Sequence, residues 1–253
     1  MEILEIQKVD LTSFCYLNKG RYPFLLESVN HNENNRYSIL FAFPGDDIVL
    51  KNFSDFDFLK ELQDKSKSTI LDSELPFIGG WFVYLSYELI GQIESTLASK
   101  LHKSTLPIAY AVQVPSAIIV DHKLDKTFII DQDNNQSRIN SILSDIKLLN
   151  KTPTQRIKGS QSEEVENKFI DGVKSSLDYI VAGDVFQVNL SRKWQYRLTE
   201  TTDSAIIYNA LKKANPAPFS ALIQYENFSI ISSSPERLFS VDDKTLETRP
   251  IAG

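Results

Sequence analysis

Apolar residues in this chain recur at two periods, and the switches between them mark out the elements. The stretches PFLLESV (23–29) and RYSILFAF (36–43) are short, rich in branched and aromatic residues, and read as strands. Pro44-Gly45-Asp46-Asp47 has turn chemistry, so DIVLKNF (47–53) is expected to pair back as a hairpin. Phe58, Leu59 and Leu62 then fall on one face of a helix that Ser54 is placed to cap. From Pro76 the pattern turns strongly β. In GGWFVYLSYEL (79–89), alternation predicts a buried face of Trp81, Val83, Leu85 and Tyr87, with two glycines permitting close backbone approach. Residues 108–133 read as strands broken by Pro115 and by a polar turn at 121–126. Ile139, Ile142, Leu143, Ile146 and Leu149 follow at helical spacing, with Ser137 as the cap.

The run TPTQRIKGSQ (152–161) is polar and suits a linker. It separates an N-terminal region, 1–150, from a second region, 160–253. Past it, Val165, Phe169, Val173, Leu177 and Ile180 form one apolar helical stripe. Ser160 and Glu163 supply a capping box for that helix, and Gly183 ends it. DVFQVNLSRKW (184–194) alternates as a strand; its polar row of Gln187, Asn189 and Ser191 suits a solvated face as well as a cavity wall. A helix over 204–214 leads through Asn215-Pro216-Ala217-Pro218 into a hairpin with Glu226-Asn227 at its tip. FSIIS, LFSV and TLETRPI read as further strands, and Ser233-Ser234-Pro235-Glu236 between them has the form of a helical start. On spacing alone that Ser-x-x-Glu is a structural cap. Long runs of strands with isolated helices, without a regular βαβ alternation, predict an α+β fold in layers.

Composition narrows the function. A hydrophobic share of 42% supplies an ample core for 253 residues. The net charge of −6 argues against a nucleic-acid or anionic-membrane surface. One cysteine, Cys15, excludes an internal disulfide and reads as packing in a reducing compartment. The three histidines lack ligand spacing, so no zinc site is legible. MEILEIQKVD carries acids where a signal peptide has a basic end, and no apolar run approaches a membrane span. A soluble cytoplasmic protein is expected.

Several segments, taken together and in order, resemble the chorismate-utilising enzymes, whose branches include anthranilate synthase component I and aminodeoxychorismate synthase component I. They are PFLLES (23–28), RYSI (36–39), GGWFVYLSYEL, PAPFSA (216–221), GDVFQVNLSRKW (183–194), SSSPERLF (232–239) and ETRPIAG (247–253). The resemblance implies two mostly antiparallel sheets packed as layers with helices outside. It implies a reaction in which ammonia, supplied by a glutamine amidotransferase subunit, replaces the hydroxyl of chorismate. Hydroxide leaves poorly, so an acid must protonate it, and the resemblance assigns that role to Glu236. A carboxyl group in a water-poor cleft would hold its proton near neutral pH. Magnesium on the substrate carboxylate is also implied, with its ligands downstream of this chain, while Gly253 belongs to a substrate-binding turn. A tryptophan pocket is implied at Ser28, Asn34, Asn35, Arg36 and Tyr37, closed by Pro218, Phe219 and Ser220.

Ala252 departs from the branch that places a lysine there as nucleophile. GGWFVYLSYEL and QVNLS nevertheless lean towards the aminodeoxychorismate branch. Anthranilate formation and a non-catalytic tryptophan-binding module are the alternatives. Ending one residue before the threonine of the PIAGT motif, the chain reads as the N-terminal half of a longer enzyme, inactive alone. Its last strand, 246–251, is expected to be poorly paired.

Overall fold

The structure, a computed structural model, describes residues 1–30, 35–66, 73–100, 105–242 and 245–251. Up to the small helices it runs β1 (Glu2–Ile6), α1 (Leu11–Leu17), β2 (Phe24–Glu27), β3 (Tyr37–Ala42), β4 (Asp47–Leu50), α2 (Phe58–Lys65), β5 (Gly80–Leu85) and α3 (Ile90–Ile93). Next come β6 (Ala109–Val114), β7 (Ser116–Asp121), β8 (Lys126–Asp131) and α4 (Gln136–Leu148). Then follow β9 (Gly159–Glu163), α5 (Glu166–Ala182), β10 (Trp194–Leu198) and α6 (Ser204–Ala214). The last strands are β11 (Phe219–Tyr225), β12 (Phe228–Ser234), β13 (Ser240–Asp242) and β14 (Thr245–Glu247). The fold is α+β with antiparallel sheets, as the alternation of patterns predicts.

One antiparallel sheet has the order β1-β8-β7-β3-β2-β11-β12, so it takes strands from both sides of the polar run at 151–161. Its register sets Leu4, Ile129, Ile118, Leu40, Leu25, Leu222 and Ile231 opposite one another, one residue per strand. That row faces the helices and packs with Phe14 and Cys15 of α1, Ile139 and Ile142 of α4, and Ala205 and Tyr208 of α6. Period-two alternation turns Phe24, Phe41 and Ile223 to the other side. There they meet Phe82, Tyr110 and Val112 of a second, three-stranded sheet ordered β4-β6-β5. Phe24 and Phe82 stack with ring centroids 4.1 Å apart. Each large side chain buried in this way contributes about 1.5–3 kcal/mol. Phe58 of α2 closes the outer face of the small sheet over Ile48, Leu50 and Ala109. Burial pushes the Cys15 thiol far up, with Glu27 and Asp10 adding to it, so this cysteine is inert packing.

Several local expectations are corrected. β4 pairs with β6 instead of folding back on β3, because the turn at Pro44 carries the chain into the second layer. In β5 the phase is inverted: Phe82 is buried by its stack on Phe24, while Val83, Leu85 and Tyr87 are exposed. Asp57, not Ser54, caps α2, accepting from the Lys60 N–H at 3.0 Å. Asn135, not Ser137, caps α4. Ser160 and Glu163 cap nothing; they lie in β9, which pairs with β10, and α5 starts at Glu166 without a side-chain cap. Residues 184–193 form no strand, because no described strand runs beside them, and Phe186 is fully exposed. The left-handed Gly183 at the end of α5 is as expected, with φ 81°.

A buried carboxylate ties the sheet to its helices. Asp131, at the end of β8, accepts from Ser116 Oγ at 2.6 Å, from Arg138 Nε at 2.6 Å, and from the backbone N–H of Asn135 at 2.8 Å. Burial alone would raise this carboxyl, but Arg138, the Asn135 N–H and Ser116 outweigh it and hold it at about 2. A depressed folded-state pKa stabilises fully above the ordinary carboxylate value and is lost as pH falls through the folded one. Asp131 is therefore expected to contribute about 2 kcal/mol above pH ~4 and to lose it by pH ~2. Urea unfolding at pH 7, 4 and 2 checks this. Asp131→Asn should be less stable at pH 7 and should flatten the acid dependence by that amount.

Candidate functional site

Glu27 follows Leu25 by two residues, so its side chain leaves β2 on the helix side of the sheet. On α6, Tyr208 and Lys212 are four residues apart and share one face. The Glu27 carboxylate accepts from the Tyr208 hydroxyl at 2.7 Å and from Lys212 Nζ at 3.1 Å. Lys212 also donates to Thr12 Oγ1 at 2.7 Å, which ties α1 to the same point. Both charged side chains are about five-sixths buried, at 15% exposure for Lys212 and 16% for Glu27. Burial and then Glu27 push the Tyr208 hydroxyl far up, so it remains a donor.

Beside this cluster the backbone N–H of Ser28 donates to Ser38 Oγ at 3.0 Å, and Ser38 Oγ lies 2.7 Å from His122 Nε2. Ser28 Oγ donates to the Tyr37 carbonyl at 2.9 Å. The Val29 N–H donates to the Ala217 carbonyl at 3.1 Å, and Ser220 stands opposite Glu27 in the sheet. Segments 24–29 and 217–220 thus meet directly. A cavity of about 270 Å³ opens here, lined by Glu27, Ser28, Ser38, His122, Lys212 and their neighbours.

Of the residues expected around a tryptophan, Ser28 lines that cavity. Arg36 instead grips Asp121 through its guanidinium and lies over the Tyr37 ring. The Tyr37 hydroxyl donates to the Glu74 carbonyl at 3.2 Å. Asn35 is buried, with its side-chain oxygen lacking a partner. Ser220 Oγ turns back to the Ala217 carbonyl, while Pro218 and Phe219 are half-buried beside it. Asn34 and Gly253, like Ala252, lie outside the described residues.

Glu236 follows β12 directly. No helix starts there; Ser234 Oγ donates to the Glu236 carbonyl at 3.1 Å and accepts from its N–H at 3.3 Å. Ser233 is engaged elsewhere, donating to the Asn215 carbonyl at 2.6 Å. One hydroxyl therefore brackets the Glu236 backbone and fixes where its side chain leaves the chain. Glu236 is exposed, so the water-poor cleft expected around it is absent from the described residues. Among the described residues the hairpin β13–β14 beyond it pairs only within itself. Among the described residues no group of three or more His, Cys, Asp or Glu side chains is placed to hold a metal ion. The described residues therefore offer no cluster suited to magnesium. No helix among them is long and apolar enough to cross a membrane.

Sequence reasoning overlooked Glu27, Tyr208, Lys212 and Thr12. Glu27 is the charged residue of PFLLES, and the i, i+4 spacing of Tyr208 and Lys212 was visible, but nothing local joins elements so far apart.

The layered α+β fold matches a solved structure, anthranilate synthase component I from Streptococcus pneumoniae, with a TM-score of 0.70 and 24% identity, over 84% of this chain and 53% of that one. Residues 21–253 match the family of chorismate binding enzymes, and the chain belongs to that family. Relatives from both branches are similar to it. Anthranilate synthase component 1 of Lactococcus lactis is 26% identical, over 93% of this chain and 57% of its own length. Aminodeoxychorismate synthase component 1 of Bacillus subtilis is 31% identical, over 75% of this chain and 43% of its own. The chain spans about half the length of the curated relatives it matches.

The Glu27–Lys212 pair makes a testable demand. Removing one partner leaves the other charge buried, so Lys212→Met should cost about 3 kcal/mol, and adding Glu27→Gln should recover much of the loss. Equilibrium urea unfolding of both variants measures it; equal stability of Lys212→Met and the parent would deny the pair its structural role.

Proposed function

We propose that this chain forms part of an aminodeoxychorismate synthase component I, which converts chorismate and ammonia to 4-amino-4-deoxychorismate and water on the route to p-aminobenzoate and folate. The observation that carries the reading is the family match over residues 21–253, which includes the Ser-Pro-Glu-Arg segment at the open end of β12. GGWFVYLSYEL and QVNLS favour the aminodeoxychorismate branch. In the proposed chemistry Glu236 gives its proton to the departing hydroxyl, which leaves as water. Ammonia forms the new C–N bond, and the proton it then loses returns to the carboxylate. A glutamine amidotransferase subunit supplies the ammonia. Magnesium takes its protein ligands from outside the residues described.

The exposed surface of the second region supports a further part of this reading. Val173, Leu177 and Ile180 of α5 fall on one stripe and turn it to water, and Phe186 beyond the helix is fully exposed. We infer that the active form covers this face with the part of the family fold that the chain does not span. With the chain extended to the length of its relatives, Glu236→Gln should lower ammonia-dependent turnover by about two to four powers of ten while chorismate affinity changes little. If Glu236 takes no part in the chemistry, turnover persists, and stability is also unchanged because Ser234 holds only its backbone. Chromatography of the product decides the branch. 4-Amino-4-deoxychorismate keeps its enolpyruvyl side chain, whereas anthranilate has lost it as pyruvate. Ala252 and the anthranilate synthase relatives keep that second product in view.

The cavity beside Ser28 favours a separate role, tryptophan binding, as a regulatory or structural ligand. Calorimetry with L-tryptophan tests it on the 253-residue chain. Saturable heat with a rise in melting temperature is expected; neither signal at millimolar tryptophan would leave these residues as core alone.

A further inference from the structure

A larger cavity than the one at Ser28 lies elsewhere. It holds about 690 Å³ at the tip of the β11–β12 hairpin, within the usual range for small-molecule sites. One seven-residue strand, β12, separates that tip from Glu236, a span of roughly 20 Å at the rise of an extended chain. Three parts of the fold converge here: the hairpin tip, the N-terminal end of α6, and the small sheet at Asp47 of its edge strand and Tyr110 of its middle strand.

Its chemistry has one sign. Tyr110 and Tyr225 stand with ring centroids 4.4 Å apart and present aromatic faces. Asp47, Asp203 and Glu226 line the cavity against a single ammonium, Lys19. Asp203 caps α6 through the Ala205 N–H at 2.8 Å, and Glu226 faces the Tyr225 hydroxyl, so Asp47 and Glu226 are the two carboxylates acting on the rings. Burial first, and then these two carboxylates, push both tyrosine hydroxyls up, Tyr225 to about 12, so both rings stay neutral. Glu226 holds its place at a cost, since its φ of 43° is left-handed. A residue with a short polar side chain or a glycine would sit there more easily.

A second, independent observation points to a ligand. Gln224 lines the same cavity and is only 7% exposed. Its side-chain nitrogen donates to Ser204 Oγ at 2.8 Å, but its oxygen has no partner. A buried acceptor without a donor costs about 1–3 kcal/mol, which a ligand N–H would offset. Two carboxylates, aromatic faces and an unpaired acceptor all favour one kind of guest. An anion is repelled, and a neutral apolar body leaves the carboxylates unanswered.

We propose that this cavity binds a small organic cation, an ammonium or guanidinium group on an apolar body, with the charge between Asp47 and Glu226 and the body against Tyr110 and Tyr225. The site is separate from the Glu236 chemistry and from the cavity at Ser28. Calorimetry on the 253-residue chain tests it with three probes of like size: benzylamine, benzyl alcohol and phenylacetate. Benzylamine, a cation at pH 7, should bind saturably with a Kd of about 1 mM, and the other two at least about tenfold more weakly. Asp47→Asn combined with Glu226→Asn removes both charges and places a residue that tolerates the left-handed tip; it should weaken benzylamine about tenfold. If that variant does not fold, salt decides on the parent chain, because raising ionic strength should weaken benzylamine and spare benzyl alcohol. No saturable heat with benzylamine at about 20 mM, equal affinity for benzyl alcohol, or salt-independent binding would overturn the proposal.

Discussion

The fold depends on one line of contact, the aliphatic row from Leu4 to Ile231 that crosses all seven strands of the main sheet. Leu25, Leu40 and Ile118 at its centre have no exposed surface. Because side chains alternate strictly along a strand, a one-residue slip in any pairing would turn that strand's contribution to the wrong layer. The row therefore sets the register. It also sets the second layer, since Phe24, Phe41 and Ile223 are the neighbours that alternation sends to the small sheet.

Both cavities follow from that register. Glu27 reaches Lys212 because it stands two residues beyond Leu25, on the helix side. Ser28 and the Ala217 carbonyl are neighbours because β2 and β11 are paired. At the opposite end of β11, the same pairing carries Gln224 and Tyr225 to the mouth of the larger cavity, between the two sheets. Strand β2 thus borders both cavities, with Phe24 at one and Glu27 at the other, and its buried Leu25 lies between them.

Much of this was legible in the sequence. The helix over 204–214 and the hairpin tip at Glu226-Asn227 were read from local chemistry, as was the left-handed Gly183, and local chemistry decides such features. Period, however, carries no sign. Alternation in 79–89 announced a strand but could not say that Phe82, rather than Val83, would find an aromatic partner. A Ser-x-x-Glu sequence fits a cap or a strand equally, and pairing with β10 settled Ser160 and Glu163 as strand. Glu27 and Lys212 were not legible as a pair, because they are 185 residues apart and only the closed sheet brings them together.

That distance shapes how the protein comes off the ribosome. β2 emerges early, yet its partner β11 is made nearly the whole chain later. At ordinary synthesis rates the edge of β2 would wait for roughly 10–40 s before β11 exists to cover it. During that interval the nascent sheet offers unpaired backbone and Phe24, Leu25 and Leu26 to any other chain nearby. The β2–β11 pairing of the native sheet thus waits for most of the chain to be made, and β2 is the segment whose shielding by a chaperone would do most for yield.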